Sequence, residues 1–183
     1  MIERVSDIDF ILDVRVKINN VEEAFTKYKS KVLRVFDVDV NIENEKVFLD
    51  NRGIYEDSFI SFMKRCYRLN KDRGMIFDFY TNRLDGEVLE KIKKELTDTE
   101  VILFNELVEM TELRGKYFKV LNIDILEILV KLCIRELFFI TFYLLDDNIT
   151  IWGNYNMKFP IFYNNDTDIQ EYVNVARDNK LFL

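Results

Sequence analysis

The sequence predicts an α+β fold: a mainly antiparallel sheet packed with helices around a central apolar helix at residues 123–137. Three observations carry this. Between Ile123 and Leu137 the polar residues are Asp124, Glu127, Lys131, Arg135 and Glu136. At about 100° per residue the first four fall in a stripe roughly 80° wide, so the rest of the cylinder must be covered by other elements. Neighbouring strand patterns are separated by short turns, which requires antiparallel pairing. Finally, 183 residues that are 49% apolar and 14% aromatic can bury one sizeable core, and five glycines and one proline leave no linker. A single α+β domain over 1–183 is expected.

Taken in order, Phe10, Leu12, Val14, Val16 and Ile18 alternate with Ile11, Asp13, Arg15 and Lys17 and read as a half-buried strand. Val21 to Lys31 reads as a helix. Phe36, Val38, Val40 and Ile42 form a second alternating strand whose outer face carries Asp37 and Asp39, and Val47 to Leu49 can add a short strand. Tyr55, Phe59, Phe62, Met63 and Cys66 have helical spacing, with Glu56 and Asp57 at the start and Lys64, Arg65 and Arg68 at the end, as the macrodipole favours. Met75 to Thr81 is a strand, and a helix follows from Asp85 with Val88, Leu89, Ile92 and Leu96 inward. Glu100 to Leu113 is compatible with strand or helix. Lys116 to Asn122 reads as a short strand leading into the central helix, for which Asn122 is the N-cap.

Beyond that helix, Phe138 to Leu145 reads as a strand covered on both faces, Asp146 to Asn148 as a turn, and Ile149 to Gly153 as the returning strand of a hairpin. Phe159 to Tyr163 completes an aromatic meander, with Pro160 placing this strand at a sheet edge. Asp168 to Asp178 is an amphipathic terminal helix, and the final LFL ties the carboxyl end to the body. Glu136 lies off the polar stripe at the helix's negative end, where a carboxylate needs a partner; structural and functional roles are both open.

Composition excludes several chemistries. With no histidine, Ser-His-Asp and Cys-His catalysis, His-bound zinc and imidazole acid–base work are absent. Cys66 and Cys133 are isolated and read as reduced core residues. The five glycines match neither a dinucleotide fingerprint nor a P-loop. The charge of −7 opposes phosphate-backbone binding and favours a basic protein partner. No run near the central helix approaches a bilayer-spanning length and the amino terminus is charged, so a cytoplasmic protein with no membrane contact is expected.

The candidate binding residues are Asp37 and Asp39 on one strand face, Asp146 and Asp147 with Tyr155 at the hairpin end, and Trp152 in the same aromatic group. An exposed aromatic beside acidic turn residues suits a protein-binding hot spot. No cofactor or metal is expected. The rival reading is a Mg²⁺- or Mn²⁺-dependent enzyme using carboxylates alone, with Asp37 and Asp39 as ligands.

The segment from Val120 to Leu183 resembles the carboxyl-terminal part of a loose group of small bacterial proteins associated with polymorphic toxin systems. The features that carry this are the apolar helix ending in CIREL, the aromatic hairpin, WGNYNMKFPIFY and the short terminal helix. The resemblance implies an immunity protein that binds and neutralises a toxin domain without enzymatic activity. A phage-encoded inhibitor of a bacterial nuclease is the alternative binding reading.

Overall fold

The computed structural model describes residues 2–18, 20–36, 52–111 and 115–183. Among these residues seven strands form one antiparallel sheet, β1 (Ile2–Val5), β2 (Lys29–Leu33), β3 (Met75–Asp78), β4 (Tyr117–Val120), β5 (Thr141–Leu144), β6 (Ile149–Trp152) and β7 (Phe159–Tyr163), in the order β1-β4-β3-β5-β6-β7-β2. The described helices are α1 (Asp7–Asp13), α2 (Val21–Lys27), α3 (Arg52–Leu69), α4 (Gly86–Glu95), α5 (Asp98–Thr111), α6 (Ile123–Ile134) and α7 (Gln170–Asp178). The fold is α+β, as the patterning predicts.

The central helix is α6. Asn122 accepts the Asp124 N–H at 2.9 Å, so the N-cap is where the sequence puts it. Ile125, Leu126, Ile128, Leu129, Leu132 and Cys133 are buried between the sheet and α3. Beyond the exposed Asp124, its polar stripe is met by other helices. Arg135 makes a two-pronged pair with Glu56 of α3, 2.8 Å at each nitrogen, while Lys131 joins Glu127 at 2.9 Å and Glu100 of α5, and Lys64 reaches Glu127 at 2.6 Å. Opposite charges at this spacing let three helices share one partly buried seam.

The helix ends three residues earlier than the apolar run. Glu136 takes a left-handed φ of 56°, and the N–H groups of Leu137 and Glu136 bond Leu132 O at 2.9 Å and Cys133 O at 3.0 Å. This is a Schellman ending built on a residue other than glycine.

The amino-terminal reading is corrected. Phe10 to Ile18 is not a strand: α1 occupies Asp7–Asp13 and Val14 onward is irregular. Local capping decides it, because Ser6 Oγ accepts the Asp9 N–H at 3.1 Å and its hydroxyl donates to the Asp9 carboxylate at 2.6 Å. The expected helix Val21 to Lys31 stops at Lys27, since Lys29–Leu33 pairs with β7. The span read as Glu100 to Leu113 is helical as far as Thr111, in α5, opened by a Thr97–Glu100 capping box, and its last two positions lie outside the described residues. The strands expected at Phe36 to Ile42 and Val47 to Leu49 fall almost wholly outside the described residues.

Pro160 does not mark an outer strand, because β7 lies between β6 and β2. The β6 ladder ends at Ile151 opposite Ile161, one residue short of the proline, so Pro160 is paired with Val32 of β2 alone. The edge is local to that residue. At the carboxyl end Leu181 is buried and Phe182 exchanges backbone hydrogen bonds with Arg34, which ties the LFL tail down.

Candidate partner-binding surface

The two halves of the expected hairpin-end patch are separated by β6. Asp146 and Asp147 sit in the β5–β6 turn, whereas Tyr155 follows the far end of β6. Four residues at about 3.4 Å each hold them apart.

At the first end the carboxylates serve the fold. Asp146 accepts the N–H groups of Asp72 and Arg73 at 3.1 and 3.0 Å. Asp147 accepts the hydroxyl of Tyr172 and an Nδ2–H of Asn70. Asn70 is the hub that the sequence reading missed. Fully buried, it returns its Oδ1 to the N–H groups of Asp146 and Asp147 at 3.0 and 3.2 Å and donates to Cys66 O and Tyr172 Oη. One amide thus joins α3, the hairpin and α7. Arg15, Asp146, Asp147, Asn164, Asp166 and Asp168 line a cavity of about 540 Å³ beside it.

At the other end an aromatic side chain is displayed. Tyr155 is 59% exposed, and its ring stands edge-on to that of Phe139 with centroids 4.4 Å apart. The turn below is held from three directions. Glu136 Oε1 accepts the Asn156 N–H at 2.9 Å, which gives the off-stripe carboxylate a structural task. Met157 is buried in the main core. Gly153 donates to Ile140 O at 2.9 Å, and a Cβ at this position would lie 2.5 Å from Cys133 Sγ and 2.9 Å from that same oxygen. Only glycine fits this approach. Asn156 and Met157 both have left-handed φ, 57° and 49°, so the conformation is held by its surroundings against local preference.

Trp152 is half-buried and packs with Val16, Ala24 and Phe162 on the opposite sheet face from α6, so it supports the structure next to Tyr155 rather than projecting with it. Asp37 and Asp39 lie outside the described residues. Among the described residues no group of three or more Asp, Glu or Cys side chains is placed to hold a metal ion. Both cysteines are buried, and burial pushes their thiols well above the ordinary range, away from thiolate chemistry.

A second carboxyl lies beneath the Tyr155 end. Asp78 is 6% exposed, and burial pushes its pKa up to about 6 against the lowering effect of the Thr141 N–H, which it accepts at 2.7 Å. The pairing registers put Tyr117, Asp78, Thr141 and Trp152 in one row across four strands, on the face away from α6.

No helix among the described residues is long and apolar enough to cross a membrane. No family model matches the chain, and no solved structure matches it. A stretch of 104 residues, 56% of the chain, is 27% identical to the DNA mismatch repair protein MutL of Thermosipho melanesiensis, and the chain spans 18% of that protein's length.

Proposed function

We propose that this chain is a non-enzymatic, cytosolic protein-binding inhibitor of the immunity type, which neutralises a basic toxin domain by covering its active site or an adjacent surface. The observation that supports it best is the Tyr155 turn. An exposed tyrosine on a backbone fixed by Glu136, Gly153 and Met157 offers a large amphipathic contact with little ordering cost left for binding. Acidity adds to this, since a chain of charge −7 is steered toward a cationic partner and away from nucleic acid. That charge also opposes carrying a DNA-contacting role over from the partial match to a mismatch repair protein.

The test is co-expression with the product of an adjacent gene whose expression alone arrests growth. Restored growth and a 1:1 complex by calorimetry are expected. Absence of any such neighbour, or a neighbour that neither binds nor is neutralised, overturns the reading.

A further inference from the structure

We propose that the flank of α2 carries a site for one small oxyanion, a phosphate group free in solution or at the end of a small phosphate ester. The site shares no residue with the Tyr155 turn and does not depend on the inhibitor reading.

A cavity of about 170 Å³ lies between α2 and the irregular stretch that follows α1. Arg15 and Lys17 line it from that stretch, Asn20 and Glu23 from the start of α2, and Lys27 and Tyr28 from its end. Its volume exceeds the ~15 Å³ that one water needs and falls short of the ~300 Å³ of a pocket for a drug-sized ligand. That range suits a single tetrahedral oxyanion.

Three cations line this cavity with one carboxylate, a local charge of +2 on a chain whose net charge is −7. Among the described residues no carboxylate pairs with any of the three. The Arg15 side chain is exposed and makes no hydrogen bond there. The Lys17 ammonium donates to Ile11 O at 2.6 Å, and the Lys27 ammonium stands 5.1 Å from the centre of the Tyr28 ring. An ammonium has three donors, so both lysines keep donors for a ligand.

The neutral polar groups are set to donate because their accepting atoms are already used. Asn20 Oδ1 accepts the Glu22 and Glu23 N–H groups at 2.9 and 3.2 Å, which fixes the amide and leaves its nitrogen as a donor. Tyr28 Oη accepts the Lys17 N–H at 3.3 Å, which leaves the hydroxyl proton to donate. The Asn20 bonds also occupy the Glu22 and Glu23 N–H groups, so side chains rather than the helix terminus carry the site.

Charge and setting select the occupant. A cation would find three like charges and only Glu23 to oppose them. A polyanion is disfavoured as well, because Arg15 also borders the acidic cavity of Asp146, Asp147, Asp166 and Asp168, where further phosphates would meet carboxylates. One phosphate group takes the donors without reaching that far.

The experiment is isothermal titration calorimetry of the full chain at low ionic strength, with inorganic phosphate, with glycerol phosphate and with a single-stranded oligodeoxynucleotide. One site is expected, with a Kd on the order of 1 mM or tighter. Arg15→Gln and Lys27→Gln are each expected to weaken binding about tenfold, and Glu23→Gln to tighten it about threefold. Tyr28→Phe removes a donor without altering charge and is expected to weaken binding about fivefold. Asn20→Ser, which keeps the cap acceptor, makes the same test should Tyr28→Phe lower Tm. Glycerol phosphate binding as tightly as phosphate assigns the site to the end of an ester, and its failure to bind assigns it to the free ion; either outcome supports the site. No saturable binding of either ligand up to about 20 mM overturns the proposal. Unchanged affinity in both Tyr28→Phe and Asn20→Ser overturns it too, since only diffuse surface charge would then remain, as does an oligodeoxynucleotide that displaces phosphate from the cavity.

Discussion

The two ends of the β5–β6 hairpin solve the same problem, a carboxyl group held against backbone N–H groups, in opposite ways. At the turn, Asp146 meets two N–H donors, and Asp147 meets Tyr172 and Asn70, at a site still partly open to water. Beneath the Tyr155 end, Asp78 is almost wholly buried and receives one backbone N–H, together with the Thr141 hydroxyl. The first carboxylates are hydrogen-bonded where water still reaches them; the second is held where charge is costly. The difference shows that acidic residues in a sequence do not all become surface charge. Some are sutures, and one is a buried group whose ionisation works against the fold.

The largest effect tests that contrast directly. The carboxyl of Asp78 has a pKa of about 6 when folded, above the ordinary 3.8. It binds its proton more tightly in the native state, so stability is greatest below about pH 4 and is lost as pH rises through about 6. A rise of this size corresponds to about 3 kcal/mol at neutral pH. Asp78→Asn, which keeps an acceptor for Thr141 but cannot ionise, is expected to be up to about 3 kcal/mol more stable than wild type at pH 8 and equal to it near pH 3.5. Urea denaturation across that range measures it. A gap independent of pH would show that Asp78 ionises as freely folded as unfolded.

At the other end the sign reverses. Asp146→Asn with Asp147→Asn replaces acceptor oxygens by donors that face Arg73 N–H or Asp72 N–H, Tyr172 and Asn70. A loss of about 2 kcal/mol is expected, within the usual range for hydrogen bonds to charged groups. Solvated charges in a turn would cost under about 0.5 kcal/mol. The same urea titration at pH 7 separates the two outcomes, and a change below 0.5 kcal/mol would return these residues to the surface.

Much of this arrangement was legible in the sequence where one signal acted alone. The narrow polar stripe of α6, its Asn122 cap, the meander of aromatic strands and the helix at α3 follow from periodicity without competition. Signals failed where two conflicted. Phe10 to Ile18 alternates as a strand does, yet Ser6 and Asp9 cap a helix, and the inward pair Phe10 and Val14 is four apart. Pro160 reads as an edge residue, and is one, but in a strand paired on both sides elsewhere. Among the binding candidates, Tyr155 stood out as an aromatic in a turn and is exposed. The hub role of Asn70 has no local sequence signal, because its partners are 4, 76, 77 and 102 residues away.

The smallest effect on stability carries the most functional weight. Tyr155→Ala removes a ring that touches Phe139 but lies largely in solvent, so unfolding free energy should change by no more than about 0.5–1 kcal/mol. Its effect on the complex should be larger: loss of a central aromatic anchor costs about 2 kcal/mol or more, some thirtyfold, and appears mainly as faster dissociation. Glu136→Ala then asks whether the ring alone matters. It leaves Tyr155 in place but removes the acceptor for the Asn156 N–H, freeing a turn with two left-handed residues. If a fixed turn is what makes Tyr155 an anchor, Glu136→Ala weakens binding with the aromatic still present, and Glu136→Gln, which keeps an acceptor, restores it. Should Tyr155→Ala leave the dissociation rate as it was, the exposed ring is an ordinary surface tyrosine and the contact surface lies on the other candidate faces.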